Sequence, residues 1–199
     1  MADDKNGREA QARSEDRRQR AREVAAELQR GDEPEPPIEA EPLVDLESDL
    51  ESLSFPATGE EVVAIVGDHE LEASDRTYTV EELLPKATVE RFDSPVAVRK
   101  RVQRPTVATA MKRVVEASER VRNVEFDTSQ RDAYEKTFLE LKAIDADDDD
   151  EGVRVIGDWI VSRIEAKEKL PGSRAVRREA AKFCRSNGYE VSSNDWLGI

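Results

Sequence analysis

The sequence predicts a mainly α-helical protein with at most one small β-hairpin, at about residues 69–80, and a flexible charged N-terminal arm. Three observations support this fold class. Apolar residues recur at the three- and four-residue spacing of a helix face through much of the chain after residue 43. Only 37% of the 199 residues are hydrophobic and 5% are aromatic, whereas 38% are charged, so we expect a modest, mainly aliphatic core. Two capping boxes, Thr58 with Glu61 and Thr79 with Glu82, are typical of helix starts.

Charge and composition divide the chain into three predicted parts. Residues 1–54 are expected to form a charged, largely disordered arm, because helix formers without an apolar stripe precede an acidic, proline-rich stretch. Four leucines at helical spacing predict a short acidic amphipathic helix at 43–53 within this arm. Residues 55–124 are predicted to form a small α(+β) domain. Residues 125–199 are predicted to form a helical C-terminal domain or a continuation of the same body.

Local signals define the elements of the middle part. The capping boxes predict helices at 59–66 and at about 80–85, on either side of the hairpin. The pair Ser94 and Pro95 is typical of an N-cap and the first residue of a helix. Pro105 is expected to interrupt that helix, because it lacks the amide that a helix interior needs. The apolar pattern then resumes as far as about residue 122.

The C-terminal part is predicted to contain three helices. The first places Tyr134, Phe138 and Leu141 on one face. The second and third are expected at 154–169 and 174–186, joined by a tight turn. The end of the chain is expected to dock through its two large apolar residues, Trp196 and Leu197.

Two basic segments stand out in a chain whose formal net charge is −14. Residues 95–124 contain eight Lys or Arg against two Glu, and acidic segments flank them on both sides. The predicted helix at 174–186 has four cations at spacings of four, four and three, which places them opposite Val176, Ala180 and Phe183. The cations of both segments are the candidate binding residues: Arg99, Lys100, Arg101, Arg104, Lys112, Arg113, Arg174, Arg178, Lys182 and Arg185.

These basic helical faces predict a non-catalytic interaction or regulatory protein that binds a protein partner or a second copy of itself. The alternative is a DNA-associated regulator that uses a helix-turn-helix-like pair at 154–186. Nucleic acid ranks second because no aromatic residue is interleaved with these cations to stack bases, and the net charge repels a polyanion. A third interpretation is that the basic faces pair with the acidic segments inside the molecule.

No enzyme, cofactor, metal site or small-molecule substrate is predicted. His69, the one histidine, lies in a polar stretch and is expected at the surface, and Cys184 is expected to be a buried small side chain. The run from Asp147 to Asp158 superficially resembles a calcium-binding loop, but Arg154 stands where an apolar residue is usual, and Asp158 stands in place of the bidentate Glu.

Composition also indicates the compartment. The single cysteine cannot form an internal disulfide, which favours a reducing environment. Neither a signal peptide nor a membrane-spanning run is evident, so we expect a cytoplasmic protein without a membrane partner. The 22 Arg against 9 Lys, together with 45 Asp or Glu, give a composition similar to that of proteins from salt-loving archaea.

Three stretches between residues 52 and 103 show a resemblance to a known group of domains. They read LSFPATGEEVVAIVGDHEL, TYTVEELLPKA and FDSPVAVRKRV. Together they resemble the short acidic domains of unknown function found in many haloarchaeal proteins. Because the shared features are structural signals, the resemblance implies no activity, ligand or catalytic residue.

Overall fold

The computed structural model describes residues 3–30, 38–73, 76–122, 124–144, 147 and 150–189. Within these ranges the chain is mainly α-helical, as predicted, with nine α-helices and two two-stranded sheets. None of the helices in the described part is long and apolar enough to cross a membrane. The predicted docking of Trp196 and Leu197 falls outside the described residues.

The first two helices lie against each other. Helix α1 spans Asp3–Arg30, and α2 spans Ala40–Asp49 and continues into a short 3-10 turn at Leu50–Ser52. Exposed ion pairs join them, with Arg17 lying 2.7 Å from Asp45 and Arg20 lying 3.2 Å from Glu51. Such exposed pairs contribute little stability individually, at most about 1 kcal/mol.

The segment around α2 is packed against other elements, although it lies within the arm predicted for residues 1–54. Ile38, Leu43, Leu46 and Leu50 are completely buried. The predicted amphipathic helix at 43–53 therefore begins earlier, at Ala40, and its leucine edge packs onto elements that follow it in the chain. The leucine spacing indicated a docking edge but could not show what it docks on. Flexibility of the N-terminal arm stays a prediction.

The next elements surround α2, and they are, in chain order, β1 (Ala57–Thr58), α3 (Gly59–Val66), β2 (Glu70–Glu72), β3 (Thr77–Thr79), α4 (Val80–Leu83), β4 (Arg91–Phe92) and α5 (Pro95–Val102). Both capping boxes form as predicted, at the starts of α3 and α4. The predicted hairpin is also present, with β2 and β3 antiparallel and Leu71 opposite Tyr78. A second antiparallel ladder, β1 with β4, was not anticipated, because its strands are only two residues long and lie far apart in sequence.

The last four helices are α6 (Pro105–Glu119), α7 (Thr128–Lys142), α8 (Glu151–Lys167) and α9 (Ser173–Asn187). The helix that starts at Pro95 ends before Pro105, as predicted, and Pro105 is the first residue of α6, where its missing amide costs nothing. Helix α8 begins three residues before the predicted start at 154. The Asp147 carboxylate explains this earlier start, because it accepts hydrogen bonds from the amides of Glu151 at 2.9 Å and Gly152 at 2.7 Å.

Two hydrophobic cores meet at α6. The N-terminal core is formed mainly by α2 to α5 with the hairpin and includes Val24 of α1, whereas the C-terminal core is formed mainly by α6 to α9. Ala108 of α6 lies in the first core, whereas Met111 and Val114 of the same helix lie in the second. Helix α6 thus contributes residues to both cores.

A candidate basic interaction surface

The first candidate cluster, on α5, turns out to be largely internal. Arg99 is only 3% exposed. Its Nε donates to Glu47 Oε1 of α2 at 2.5 Å, and its Nη1 donates to Gln103 Oε1 at 3.1 Å. Arg99 therefore links α5 to α2 through this ion pair, and its side chain is buried away from the surface.

Arg101 lies at the centre of a buried ionic network between the two cores. Its Nε and Nη2 donate to the two carboxylate oxygens of Glu135 on α7, at 3.1 and 2.9 Å. Its Nη1 lies 3.2 Å from Glu90, which is 2% exposed, and Arg131 of α7 lies 3.8 Å from the same carboxylate. Two arginines and two glutamates thus neutralise one another. Arg101, like Arg99, is thus buried against acidic partners distant in sequence, which does not favour the binding role predicted for it.

The remaining candidates of this segment also contact neighbouring elements. Lys112 Nζ donates to the backbone carbonyl of Glu81 and joins α6 to α4. Arg113 pairs with Asp158 of α8 at 2.6 Å in an exposed ion pair. Lys100 is exposed on α5, and Arg104 is half-buried between α5 and α6. This segment therefore offers no continuous basic surface.

The second candidate cluster is displayed on the outside of α9. Its four cations are all exposed: Arg174, Arg178, Lys182 and Arg185. The opposite side of the helix packs into the C-terminal core through four buried residues: Val176, Ala180, Ala181 and Cys184. At a rise of about 1.5 Å per residue the cations extend over roughly 16 Å. We call these four cations the α9 basic face.

The acids near the α9 basic face are few. Lys182 Nζ lies 3.2 Å from Glu179 of the same helix. Among the residues that the structure describes, no acidic side chain lies within ion-pair distance of Arg174, Arg178 or Arg185. Within the described part of the chain, the α9 basic face is therefore a cluster of predicted cations that is directed to the solvent.

A groove of about 340 Å³ lies beside the first turn of α9. Its lining comes from α8, the turn that follows it and α9, and we call it the α8–α9 groove: Trp159, Arg163, Lys167, Lys169, Leu170, Pro171 and Ala175. The Arg163 guanidinium lies over the Trp159 ring, 5.1 Å from its centroid, as in a cation–π pair. Three cations and four largely apolar side chains thus meet in one concavity without a carboxylate among them.

The turn that forms the floor of this groove is held in place by α7. The backbone carbonyl of Pro171 accepts hydrogen bonds from Gln130 Nε2, at 2.9 Å, and from the hydroxyl of Tyr134. Burial raises the pKa of Tyr134, so its hydroxyl keeps the proton that it donates. Leu170, next to this anchor, is buried in the C-terminal core. The groove is therefore built on fixed backbone.

Sequence reasoning did not find this groove. Trp159 packs against the C-terminal core, but it is only partly buried and also lines the groove. The available signal was the four-residue spacing of Trp159, Arg163 and Lys167, which puts an aromatic ring and two cations on one side of α8. The contribution of the turn after α8 could not be read from this spacing.

A second cleft, of about 290 Å³, lies between the hairpin, α6 and α8. Three arginines line it, Arg76, Arg113 and Arg154. Arg76 lies 3.4 Å from Glu82, and Arg113 pairs with Asp158. Because acidic partners accompany two of its three cations, this cleft presents a weaker positive field than the α8–α9 groove.

The two residue types most suited to catalysis have structural contacts. His69 is more buried than expected, with its side chain 17% exposed. Its ring nitrogens lie 3.2 Å from an Asp49 carboxylate oxygen and 3.2 Å from the Pro42 carbonyl, so it joins the hairpin side of the fold to α2. Cys184 is buried as expected, and burial raises the pKa of its thiol. A raised pKa keeps the thiol protonated and poorly nucleophilic.

The calcium-loop interpretation of residues 147–158 does not fit the structure, because residues 151–158 are helical. The carboxylate of Asp147 caps α8, and that of Asp150 accepts from Thr106 Oγ1 and Lys142 Nζ, both at 2.9 Å. In the part of the chain that the structure describes, no group of three His, Cys, Asp or Glu side chains is arranged to hold a metal ion.

Comparison with known proteins identifies a domain in the N-terminal part of the chain. No curated protein and no solved structure matches the chain. One family does match, over a region that contains the whole stretch 52–103 for which an uncharacterised domain was expected. This region covers α2 to α5 with the hairpin and most of α6, but neither the α9 basic face nor the α8–α9 groove. Residues 37–114 thus match the family of unknown function (DUF5789).

Proposed function

We propose that the protein is a non-catalytic interaction protein that binds an acidic protein segment along the α9 basic face. The exposure of four aligned cations on α9 is the observation on which this proposal rests. It contrasts with α5, where the buried side chains of Arg99 and Arg101 pair with Glu47 of α2 and Glu135 of α7. An acidic helix or extended acidic segment can place carboxylates at a matching spacing along the roughly 16 Å of the face.

The expected affinity of the face alone is low. An exposed ion pair contributes roughly 0.2–1 kcal/mol, so four of them contribute about 1–4 kcal/mol. A dissociation constant of 1 mM already requires about 4 kcal/mol. Charge on α9 therefore supplies orientation and encounter rate, and a lasting complex needs a further, apolar contribution.

The cellular setting is part of this proposal. We place the protein in the cytoplasm of a salt-adapted cell, which the acidic, lysine-poor composition and the single buried cysteine support. In molar salt the Debye length falls to about 3 Å, so only cations that touch their partner directly contribute to binding.

DNA association is the second candidate. It is favoured by the succession of α8, a short turn and α9, with cations on the outside of the last helix. The net charge of −14 opposes it, because it repels a polyanion at long range.

A charge-reversal experiment tests the proposal and separates the two candidates. The variant combines Arg174→Glu, Arg178→Glu and Lys182→Glu on α9. The control reverses three exposed cations elsewhere, Arg120, Arg122 and Lys136, and so has the same net charge. Fluorescence anisotropy follows the binding of a labelled Asp/Glu-rich peptide and of a labelled DNA duplex over a range of KCl concentrations.

We expect the peptide to bind the wild type and the control but not the α9 variant. Equal peptide binding by all three proteins would contradict the proposal. Binding of the duplex in preference to the peptide, lost in the α9 variant and declining steeply with salt, would instead support DNA association.

A further inference from the structure

We propose that the α8–α9 groove receives one apolar side chain of the acidic segment that binds the α9 basic face, while carboxylates next to that side chain contact Arg163, Lys167 and Lys169. This inference rests on the proposed function and specifies the ligand more closely. The recognised motif is an aliphatic residue such as leucine, flanked by Asp or Glu in an extended or helical segment.

The shape and lining of the groove support an apolar anchor. Its volume of about 340 Å³ lies at the lower end of the range for ligand sites, which suits a side chain with its adjoining backbone rather than a cofactor. Leu170, Pro171 and Ala175 provide an apolar wall, and the carbonyl of Pro171 is already bonded to α7. The wall therefore favours a group that makes no hydrogen bonds of its own.

The charge around the groove supports an acidic ligand. Arg163, Lys167 and Lys169 line it, and none of its lining residues is acidic. The adjacent α9 begins after Gly172 without a side-chain cap, so its positive dipole end adds to the field of these three cations.

Groove and basic face are continuous along α9. Ala175 lines the groove, while its neighbour Arg174 and Arg178, one turn further on, belong to the α9 basic face. A single segment can therefore place an apolar side chain in the groove and continue along α9 with its carboxylates over the cations. The anchor provides the apolar contribution that the face alone lacks.

The lining favours a peptide over a nucleic acid. Base recognition by a single strand needs an open aromatic face for stacking. The Trp159 ring packs against the C-terminal core and has the Arg163 guanidinium over it, so it offers an edge rather than a stacking platform. The aliphatic wall fits a methyl-bearing side chain.

The test uses two short Asp/Glu-rich peptides that differ only at a central residue, leucine in one and serine in the other. Each is titrated into the full-length protein by fluorescence anisotropy, with a single-stranded oligonucleotide as competitor. We expect the leucine peptide to bind about ten- to a hundredfold more tightly, which corresponds to burial of one aliphatic side chain.

Two variants localise this preference. Ala175→Phe fills the groove without a change of charge, and it should abolish the leucine preference while leaving the serine peptide bound as in the wild type. Lys167→Glu with Lys169→Glu, at exposed positions, should weaken both peptides. Circular dichroism establishes that each variant is folded. If Ala175→Phe does not fold, the variant with Lys167→Glu and Lys169→Glu still tests the groove.

The outcomes separate this inference from the proposed function. Equal binding of the two peptides to the wild type, or a leucine preference that survives Ala175→Phe, overturns the groove and leaves the α9 basic face intact. Failure of both peptides to bind overturns the proposed function itself. Displacement of the leucine peptide by equimolar oligonucleotide overturns the peptide assignment in favour of nucleic acid.

Discussion

Replacement of Arg101 by methionine is the sharpest test of the buried ionic network. Methionine has a similar helix propensity to arginine and keeps most of the length of the side chain, so the change removes the guanidinium and little else. Glu90 and Glu135 both lose their contacts with Arg101, which the structure gives as 3.2 Å to Glu90 and 2.9 Å to Glu135.

The surroundings of the two glutamates fix the expected cost. Removal of one partner from a buried pair typically costs about 3–5 kcal/mol, because a charge is left uncompensated. Glu135 is 25% exposed and can regain water, while Arg131 still lies 3.8 Å from Glu90. Both features place Arg101→Met near the lower value, about 3 kcal/mol in the free energy of unfolding.

Arg113→Met is the matched control. Arg113 pairs with Asp158 at a shorter distance, 2.6 Å, but the two side chains are 46% and 53% exposed, so its loss should cost less than about 1 kcal/mol. Urea unfolding at constant KCl measures both variants. With a slope near 2 kcal/mol per molar urea, the midpoint should fall by about 1.5 M for Arg101→Met and by less than about 0.5 M for the control. Equal shifts of the urea midpoint in the two variants would contradict the burial of the Arg101 ion pairs.

Three further predictions follow from local geometry. Gly59→Ala should lower the melting temperature, because the new Cβ would lie 2.5 Å from the Pro85 carbonyl oxygen. The cost of overpacking, about 1–3 kcal/mol, exceeds the gain in helix propensity of ~1 kcal/mol. An unchanged melting temperature would contradict this close approach. Hydrogen bonds from the amide and hydroxyl of Thr58 lower the pKa of Glu61, so the stabilisation by this capping box is present above the unfolded-state pKa and is lost as pH falls through the folded value. In Thr58→Val an NMR titration should show a higher Glu61 pKa that stays below the ordinary value, since the amide remains; no change would rule out the hydroxyl contribution. Cys184 should react with iodoacetamide far more slowly in the folded protein than in urea, because it is buried and its thiol pKa is raised; equal rates would show that the thiol is accessible.

The helices and the hairpin could be predicted because their signals are local. Each capping box lies within four residues of sequence, and each predicts a helix start that the structure contains. The face of Tyr134, Phe138 and Leu141 is likewise buried as expected. Local hydrogen bonds and periodicity do not depend on which distant element packs nearby, so the sequence suffices for them.

The burial and ion pairing of Arg99 and Arg101 could not be predicted, because both depend on residues distant in sequence. Glu47 is 52 positions from Arg99, and Glu135 is 34 positions from Arg101. On α5 the two arginines lie on either side of the buried Val98 and Val102, so both are directed toward neighbouring elements. An arginine in such a place is indistinguishable by composition from a surface cation. The interpretations of the two basic segments therefore differ. Arg99 and Arg101 of α5 pair with acidic residues inside the molecule, whereas contact with an external partner remains the proposal for α9.

The groove was missed for a related reason. Its basic residues lie on one helix and the following turn, but its apolar wall depends on the path of the chain between α8 and α9. That path is fixed by hydrogen bonds from Gln130 and Tyr134 of α7 to the Pro171 carbonyl. Periodicity describes the face of a single helix and contains no information on how two helix ends meet.

The most direct test of the account is an amide chemical-shift titration of the folded protein with the leucine-containing acidic peptide. We predict that the shifts concentrate between residues 159 and 185, on the α8–α9 groove and the α9 basic face, with small changes between residues 95 and 104. Shifts centred on α5 and its neighbours, or an absence of shifts at saturating peptide, would contradict the assignment of the interaction surface to α9.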